Sequence, residues 1–266
     1  MKLTRLLFAS AVMASFALVS CQKEEEATSQ DAVNQKTIEQ ISQLGFNTNN
    51  VQRAEGGYIV EGDIFLSDSE LSSTAKVNAL RVGEAEQYRT TNLVQGLPRV
   101  ITVSMSTSLP SSYLPALDEA IARYNAEGLQ ITFQRVASGG AIDIVAAPKS
   151  AQYLASAGFP TSAGDPHNQI KVATRYIGTA PNQAWFATIL AHEMGHCIGF
   201  RHTDYMDRSY SCGGSYSNEG ASTVGAILIP GTPSTQDPNS WMLACIGSGQ
   251  SRPFNANDKT ALNYLY

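Results

Sequence analysis

The chain has 266 residues, 43% of them hydrophobic, enough for one sizeable core or for a small domain beside a medium one. Only 15% are charged, which excludes a chain disordered over its whole length. The formal net charge of −5 makes nucleic acid and anionic lipid surfaces poor partners.

Residues 1–20 read as an export signal. Lys2 and Arg5 supply the positive start, and Leu6 to Leu18 an apolar run too short to span a bilayer comfortably. Leu18-Val19-Ser20-Cys21 resembles a bacterial lipobox, in which Cys21 becomes the lipidated first residue of the mature chain. An ordinary secretory signal with an incidental cysteine is the alternative. No later stretch is apolar enough to span, so acyl chains would be the only membrane attachment. Losing Lys2 and Arg5 lowers the basic residues from 18 to 16 against 23 acidic ones, a mature balance of −7. Gln22 to Glu26 resembles the short acidic export tags of Bacteroidetes surface lipoproteins, or is simply a solvated tether. Together these features predict a bacterial envelope protein, at the outer membrane or cell surface, retained or released; a monomer is expected, though these features do not bear on oligomeric state.

Residues 21–36 are polar and read as a flexible linker. Residues 37–97 read as a small N-terminal α+β or propeptide-like region. It opens on a helix from Thr37 carrying Ile38, Ile41 and Leu44. A strand follows over Tyr58–Leu66 after the Gly56-Gly57 turn, then a second helix between Ser67 and Leu80.

A different unit, residues 98–266, starts with a strand over Arg99–Ser106. Ser111 and Ser112 can cap a helix with Pro115 in its first turn and Leu114, Leu117, Ile121 and Tyr124 along one face. Leu129–Gln134 alternates as a half-buried strand, and Ala141–Ala146 is another short one. Residues 150–170 read as loop and Lys171–Tyr176 as a strand, an edge on which an extended peptide substrate could pair. Pro181 opens a helix carrying Trp185, Ile189 and Leu190, and Asn255 or Asn257 caps a last one. Of Cys197, Cys212 and Cys245, two could pair in an oxidising compartment, and the sequence does not choose which.

The chemistry lies in His192-Glu193-Met194-Gly195-His196-Cys197-Ile198-Gly199-Phe200-Arg201-His202. His192 and His196 are four apart on a helix, so both imidazoles project from one face. Gly199 permits the turn that stops the helix and brings His202 back towards the same point. Three neutral imidazoles leave one tetrahedral position for water, the pattern of a catalytic Zn2+ site. Glu193, beside His192, is placed to take a proton from that water and pass it to a leaving amine. This implies peptide-bond hydrolysis with protein or peptide substrates. The fourth histidine, His167, follows Asp165-Pro166 and reads as a surface loop residue.

The run HExxHxxGxxH resembles the metzincin clan of zinc peptidases. More narrowly, residues 192–205 resemble the bacterial dual-action HEIGH metallopeptidases, with Met194 where that family's name has isoleucine. Gln87–Val94 and Phe254–Tyr266 extend the resemblance to roughly residues 58–266. It implies an α+β fold: a twisted mixed sheet, an active-site helix, a methionine turn and a C-terminal helix. Met242, ahead of the last helix, is where that turn belongs; Met206 lies too close to His202. Some metzincins have a tyrosine two residues after this methionine, but here the position is Ala244. Tyr205 could substitute or could simply pack. Thr203 follows the third histidine, unlike the acidic residue of several subfamilies. Asp204 could orient a ligand, tie the motif to the methionine turn, or cap a loop.

The N-terminal region resembles a propeptide. No cysteine lies between Cys21 and Cys197, so a cysteine cannot block the metal from there. Asp63 could do so as a carboxylate, or could be an ordinary strand-end residue. Two other readings stay open: a non-catalytic surface lipoprotein keeping the fold for binding, and a zinc hydrolase of cell-wall peptides. The loop Gly213–Ser240 is the expected pocket wall.

Overall fold

The structure, a computed structural model, describes residues 33–72, 87–222, 224–233 and 236–266. Residues 1–32, including Cys21 and the whole export signal, lie outside the described residues.

Helix α1 (Gln35–Gln43) starts where Asn34 accepts a hydrogen bond from the Thr37 N–H, and it buries Ile41 completely. Strands β1 (Gln52–Ala54), β2 (Gly57–Val60) and β3 (Ile64–Ser67) follow. The single strand expected over Tyr58–Leu66 is in fact the hairpin β2–β3, with Val60 opposite Ile64. Its reversal falls at Glu61 and Gly62, whose φ values of 54° and 97° are left-handed. A non-glycine residue in that conformation gave no warning in the hydrophobic pattern. The helix expected from Ser67 is α2 (Asp68–Ser72), and 73–80 lie outside the described residues.

After β4 (Tyr88–Arg89), β5 (Arg99–Met105) enters a short turn at 111–113 and then α3 (Leu114–Asn125). Neither Ser111 nor Ser112 caps α3; Ser112 donates to the Thr179 carbonyl instead. Next come β6 (Ile131–Arg135), β7 (Ile142–Ala146), β8 (Ala155–Ala157), β9 (Gln169–Val172) and the single turn α4 (Thr174–Ile177). The expected loop at 150–170 therefore contains β8, whose Ala-Ser-Ala sequence carries no strand signal; pairing with β9 makes it a strand.

The main sheet has the order β1-β2-β3-β8-β9-β7-β5-β6. β5, β6, β7 and β9 are parallel, and β8 runs antiparallel to β9. Parallel pairing of Ile64 with Ala157 joins the N-terminal hairpin to the same sheet. The edge expected at Lys171–Tyr176 is thus not an edge. β9 is bonded on both sides, and 174–177 turn into α4.

Helix α5 (Gln183–Cys197) begins at Asn182, which accepts from the Trp185 N–H, and is buried from Trp185 to Cys197. A helix apolar around its whole circumference must be enclosed; α5 packs on α3 and on β8. Helix α6 (Ser209–Cys212) and strand β10 (Ile227–Leu228), paired with β4, precede the last helix, α7 (Ala256–Leu265). Cys212 and Cys245 form the disulfide, leaving Cys197 free and buried. Among the described residues no helix is long and apolar enough to cross a membrane.

Asn255 caps α7 in a capping box with Asp258. The fully buried Asp258 also accepts from Gln87 Nε2 at 2.7 Å and from the Trp241 N–H at 3.3 Å. One carboxylate thereby fastens the start of α7 to the segments carrying Gln87 and Trp241. Asp258→Ala removes the box and leaves buried donors unpaired, a cost of about 3 kcal/mol. A fall of roughly 10 °C in melting temperature is expected, and an unchanged melt would refute the clamp.

Candidate metal centre

His192 and His196 project from one face of α5. Just beyond the helix, the Phe200 N–H bonds the Gly195 carbonyl at 2.9 Å and Gly199 takes a φ of 107°. A Cβ at Gly199 would also lie 3.0 Å from the Asn92 carbonyl oxygen, so glycine is required twice over. The turn is held from outside, where the Thr90 N–H donates to the Gly199 carbonyl and the Arg201 N–H to that of Tyr88. His202 is thereby brought back to the other two histidines.

The hydrogen bonds fix which nitrogens face inward. His192 Nδ1 donates to the Trp241 carbonyl at 2.9 Å and His196 Nδ1 to the Phe200 carbonyl at 2.8 Å. His202 Nδ1 donates to Glu219 Oε1 at 2.8 Å. With all three protons on Nδ1, each Nε2 presents a bare lone pair. The Nε2 atoms of His196 and His202 stand 3.2 Å apart, and that of His192 is buried without a hydrogen-bond partner among the described residues. Two lone pairs at that distance repel unless a proton or a metal cation lies between them. Asp63 Oδ2 completes the group, 3.3 Å from His202 Nε2 and 3.7 Å from His192 Nε2. All four candidate ligand atoms lie within 4.8 Å of one another. Three imidazoles and one carboxylate are a donor set suited to zinc.

Glu193 is 3% exposed, and its Oε2 has no partner among the described residues. Burial, and then the charge of Asp63, push its carboxyl well above the usual range. It lines, with His192 and Asp63, a cavity of about 460 Å³.

Residues 58–266 match the family described as dual-action HEIGH metallo-peptidase. The chain belongs to that family. This dual-action HEIGH peptidase is accordingly a zinc metallopeptidase, with proteins or peptides as its substrates. No curated protein matches the chain. Among solved structures, one of myroilysin is 15% identical, with a TM-score of 0.43, over 66% of this chain and 86% of that one. A second myroilysin structure is 18% identical, with the same 0.43, over 66% and 96%. High choriolytic enzyme 1, a hatching enzyme zinc-protease from the medaka fish Oryzias latipes, is 17% identical, with a TM-score of 0.34, over 71% and 98%.

The supporting residues divide. Met242 is fully buried, and its sulfur lies 2.6 Å from where a Gly195 Cβ would stand, between the two helical histidines. Its carbonyl accepts from the Thr203 N–H, while its neighbour Trp241 holds His192. Met206 instead meets the Tyr88 hydroxyl. Asp204 accepts from the Ala244 N–H at 2.9 Å and the Ser211 hydroxyl at 2.5 Å, so it ties the motif to the methionine turn. Tyr205 packs edge-on against Tyr88, 4.4 Å between ring centres, and does not line the cavity. His167 stands apart from the centre, packed beside Phe65, and burial pushes its pKa down to about 4.

Of the two groups that reach the centre from outside the motif, only one is unmarked in the sequence. Asp63, which the sequence offers either as a carboxylate blocking the metal or as an ordinary strand-end residue, is carried to the histidines by the Glu61-Gly62 reversal. Glu219 sits in a Gly/Ser-rich loop with no motif around it, yet it is fully buried on His202 and lies 3.3 Å from Arg208 Nε. The loop Gly213–Ser240, expected as the pocket wall, lends the cavity beside Glu193 none of its described residues; 152–155 and 243–246 form that wall. The disulfide at Cys245 and the Asp204–Ala244 bond turn the later loop inward instead. Because Glu219 fixes the His202 tautomer, Glu219→Ala should weaken zinc affinity about 10–100-fold in chelator competition. Unaltered affinity would make Glu219 a mere packing residue.

Proposed function

We propose that this HEIGH-family peptidase is an endopeptidase in which His192, His196 and His202 hold one zinc ion and Glu193 is the general base. The observation that carries this reading is the convergence of three Nε2 lone pairs beside an unpartnered buried carboxylate. Zinc, when bound, polarises a carbonyl and makes water acidic enough to ionise near neutral pH. Glu193 takes the proton of the attacking water and delivers it to the departing amine. The Trp241 carbonyl, the Phe200 carbonyl and Glu219 keep the three imidazoles in the ligating tautomer throughout. Purified protein should contain one zinc per chain, and stripping it with a chelator should abolish peptide cleavage until zinc is restored. Cleavage that survives complete zinc removal would end this reading.

Asp63 supplies the second half of the proposal: this form of the chain is latent. Its carboxylate stands where water or substrate must enter. The buried ion pair of Glu61 with Arg201, 3.0 Å long, fastens the same hairpin to the zinc motif. Activation then requires the hairpin to leave. Removing everything through residue 95 would overshoot, because Tyr88 and Thr90 brace the turn before His202. An activating cut belongs before Gln87.

The export route is proposed on sequence grounds alone: acylation at Cys21 and attachment to the envelope. The mass of the mature N-terminus tests it, and an unmodified Cys21 would exclude it.

A further inference from the structure

Four charged side chains line the cavity beside the metal centre: Asp63, Glu193, Arg208 and Arg252. The first two have been assigned. Arg208 is occupied, with Glu219 3.3 Å from its Nε and the Glu61 carbonyl accepting from its guanidinium. Arg252 differs. Its guanidinium donates to the Cys245 carbonyl at 2.8 Å, and it forms no ion pair among the described residues. Buried Asp204 attracts it, but that carboxylate is already bonded by Ser211 and Ala244. Asp204 acts on this half-buried cation only at a distance, with no direct ion-pair contact, and an arriving carboxylate can supply that contact.

The position of Arg252 is fixed relative to the zinc ligands. Its backbone N–H donates to Thr188 Oγ1 at 3.0 Å. Thr188 lies one turn before His192 on α5, a rise of about 6 Å. A guanidinium rooted there is within reach of a residue flanking a peptide bond held over His192 and Glu193. Leu243 and Ile189 make the adjoining wall apolar, so the charge would contribute more to selection than it could in open water.

We propose that Arg252 is a specificity-determining residue that selects substrates carrying a carboxylate beside the scissile bond. This rests on the peptidase reading of the same site. The carboxylate is either an Asp or Glu side chain or the free end of the substrate chain, and the two are separable.

Cleavage is measured on the full chain with the Asp63→Ala substitution, using C-terminally amidated peptides that carry Glu, Gln or Lys next to the cut. A parallel set ends in a free carboxylate. We expect kcat/KM to be at least about tenfold higher for Glu than for Gln, with Lys lowest. Arg252→Glu should invert the order, favouring Lys, whereas a poorly folded variant would lower all rates without inverting them. A preference confined to free-ended peptides would assign the charge to the chain terminus. Equal rates for all peptides, or an order unmoved by Arg252→Glu, would overturn the proposal while leaving the peptidase standing. Binding of the same peptides to the Asp63→Ala, Glu193→Gln form, read by fluorescence anisotropy, separates the two readings. Acid-selective binding that depends on Arg252 without any cleavage would sink the peptidase and keep this site. Neither binding nor cleavage would sink both.

Discussion

Glu193→Gln is expected to lose hydrolytic activity by about a thousandfold or more while still binding one zinc ion. Glutamine has nearly the same shape and fits the same buried slot, but its amide cannot accept the water's proton at neutral pH. Glu193 is not among the four groups that converge as candidate ligands, so its charge is not needed to hold the metal. The measurement pairs kcat/KM on a peptide with zinc content on the same sample, in the Asp63→Ala background so that latency does not mask the loss. Retained turnover would remove Glu193 as base. Loss of zinc together with activity would instead make it part of the ligand set.

Asp63→Ala should act in the opposite direction, raising kcat/KM of the full chain by about tenfold or more. A carboxylate tethered within the same chain competes at an effective concentration of about millimolar or above, which a dilute substrate does not match. Its Oδ2, 3.3 Å from His202 Nε2, is in position to exclude both water and a scissile carbonyl. The hairpin remains fastened through Glu61 and Arg201 in this variant, so the gain should fall short of that from removing the hairpin. Activity unchanged by Asp63→Ala would show that Asp63 does not block the centre. Activity lost together with zinc would show that it is a permanent ligand. Asp63→Asn should give a smaller gain, because an amide oxygen is a weaker donor to zinc but still occupies the space.

The two variants also order the contributions of the histidine scaffold. Trp241, Phe200 and Glu219 hold the imidazoles without any help from Asp63. The ligand geometry should therefore survive removal of the Asp63 carboxylate.

Much of the centre was legible before any fold was known. Spacing of four on a helix places His192 and His196 on one face by geometry alone, and Gly199 announces a turn because few other residues adopt its φ. Met242 was placed by resemblance and by its distance from His202. Local rules also yielded α1, α3, β5, β6, β7, α5 and α7, each carrying its periodicity or cap within a dozen residues. They failed at β8, where three small residues become a strand only by pairing, and at 58–66, where Glu61 and Gly62 reverse a run that alternates like one strand. They failed at Lys171–Tyr176 as well, because whether a strand is an edge depends on its neighbours.

The sequence by itself pointed to zinc, to the three imidazoles and to the neighbouring Glu193 carboxylate, since those residues are near one another along the chain and a single helix and turn suffice to assemble them. Only the tertiary structure decided that Asp63 meets the histidines, that Glu219 sets the His202 tautomer and that Arg252 enters the cavity. Asp63 lies 139 residues from His202, Glu219 17 residues from it, and Arg252 60 residues from His192. Contacts of that kind follow from sheet order and loop closure, which no local periodicity encodes.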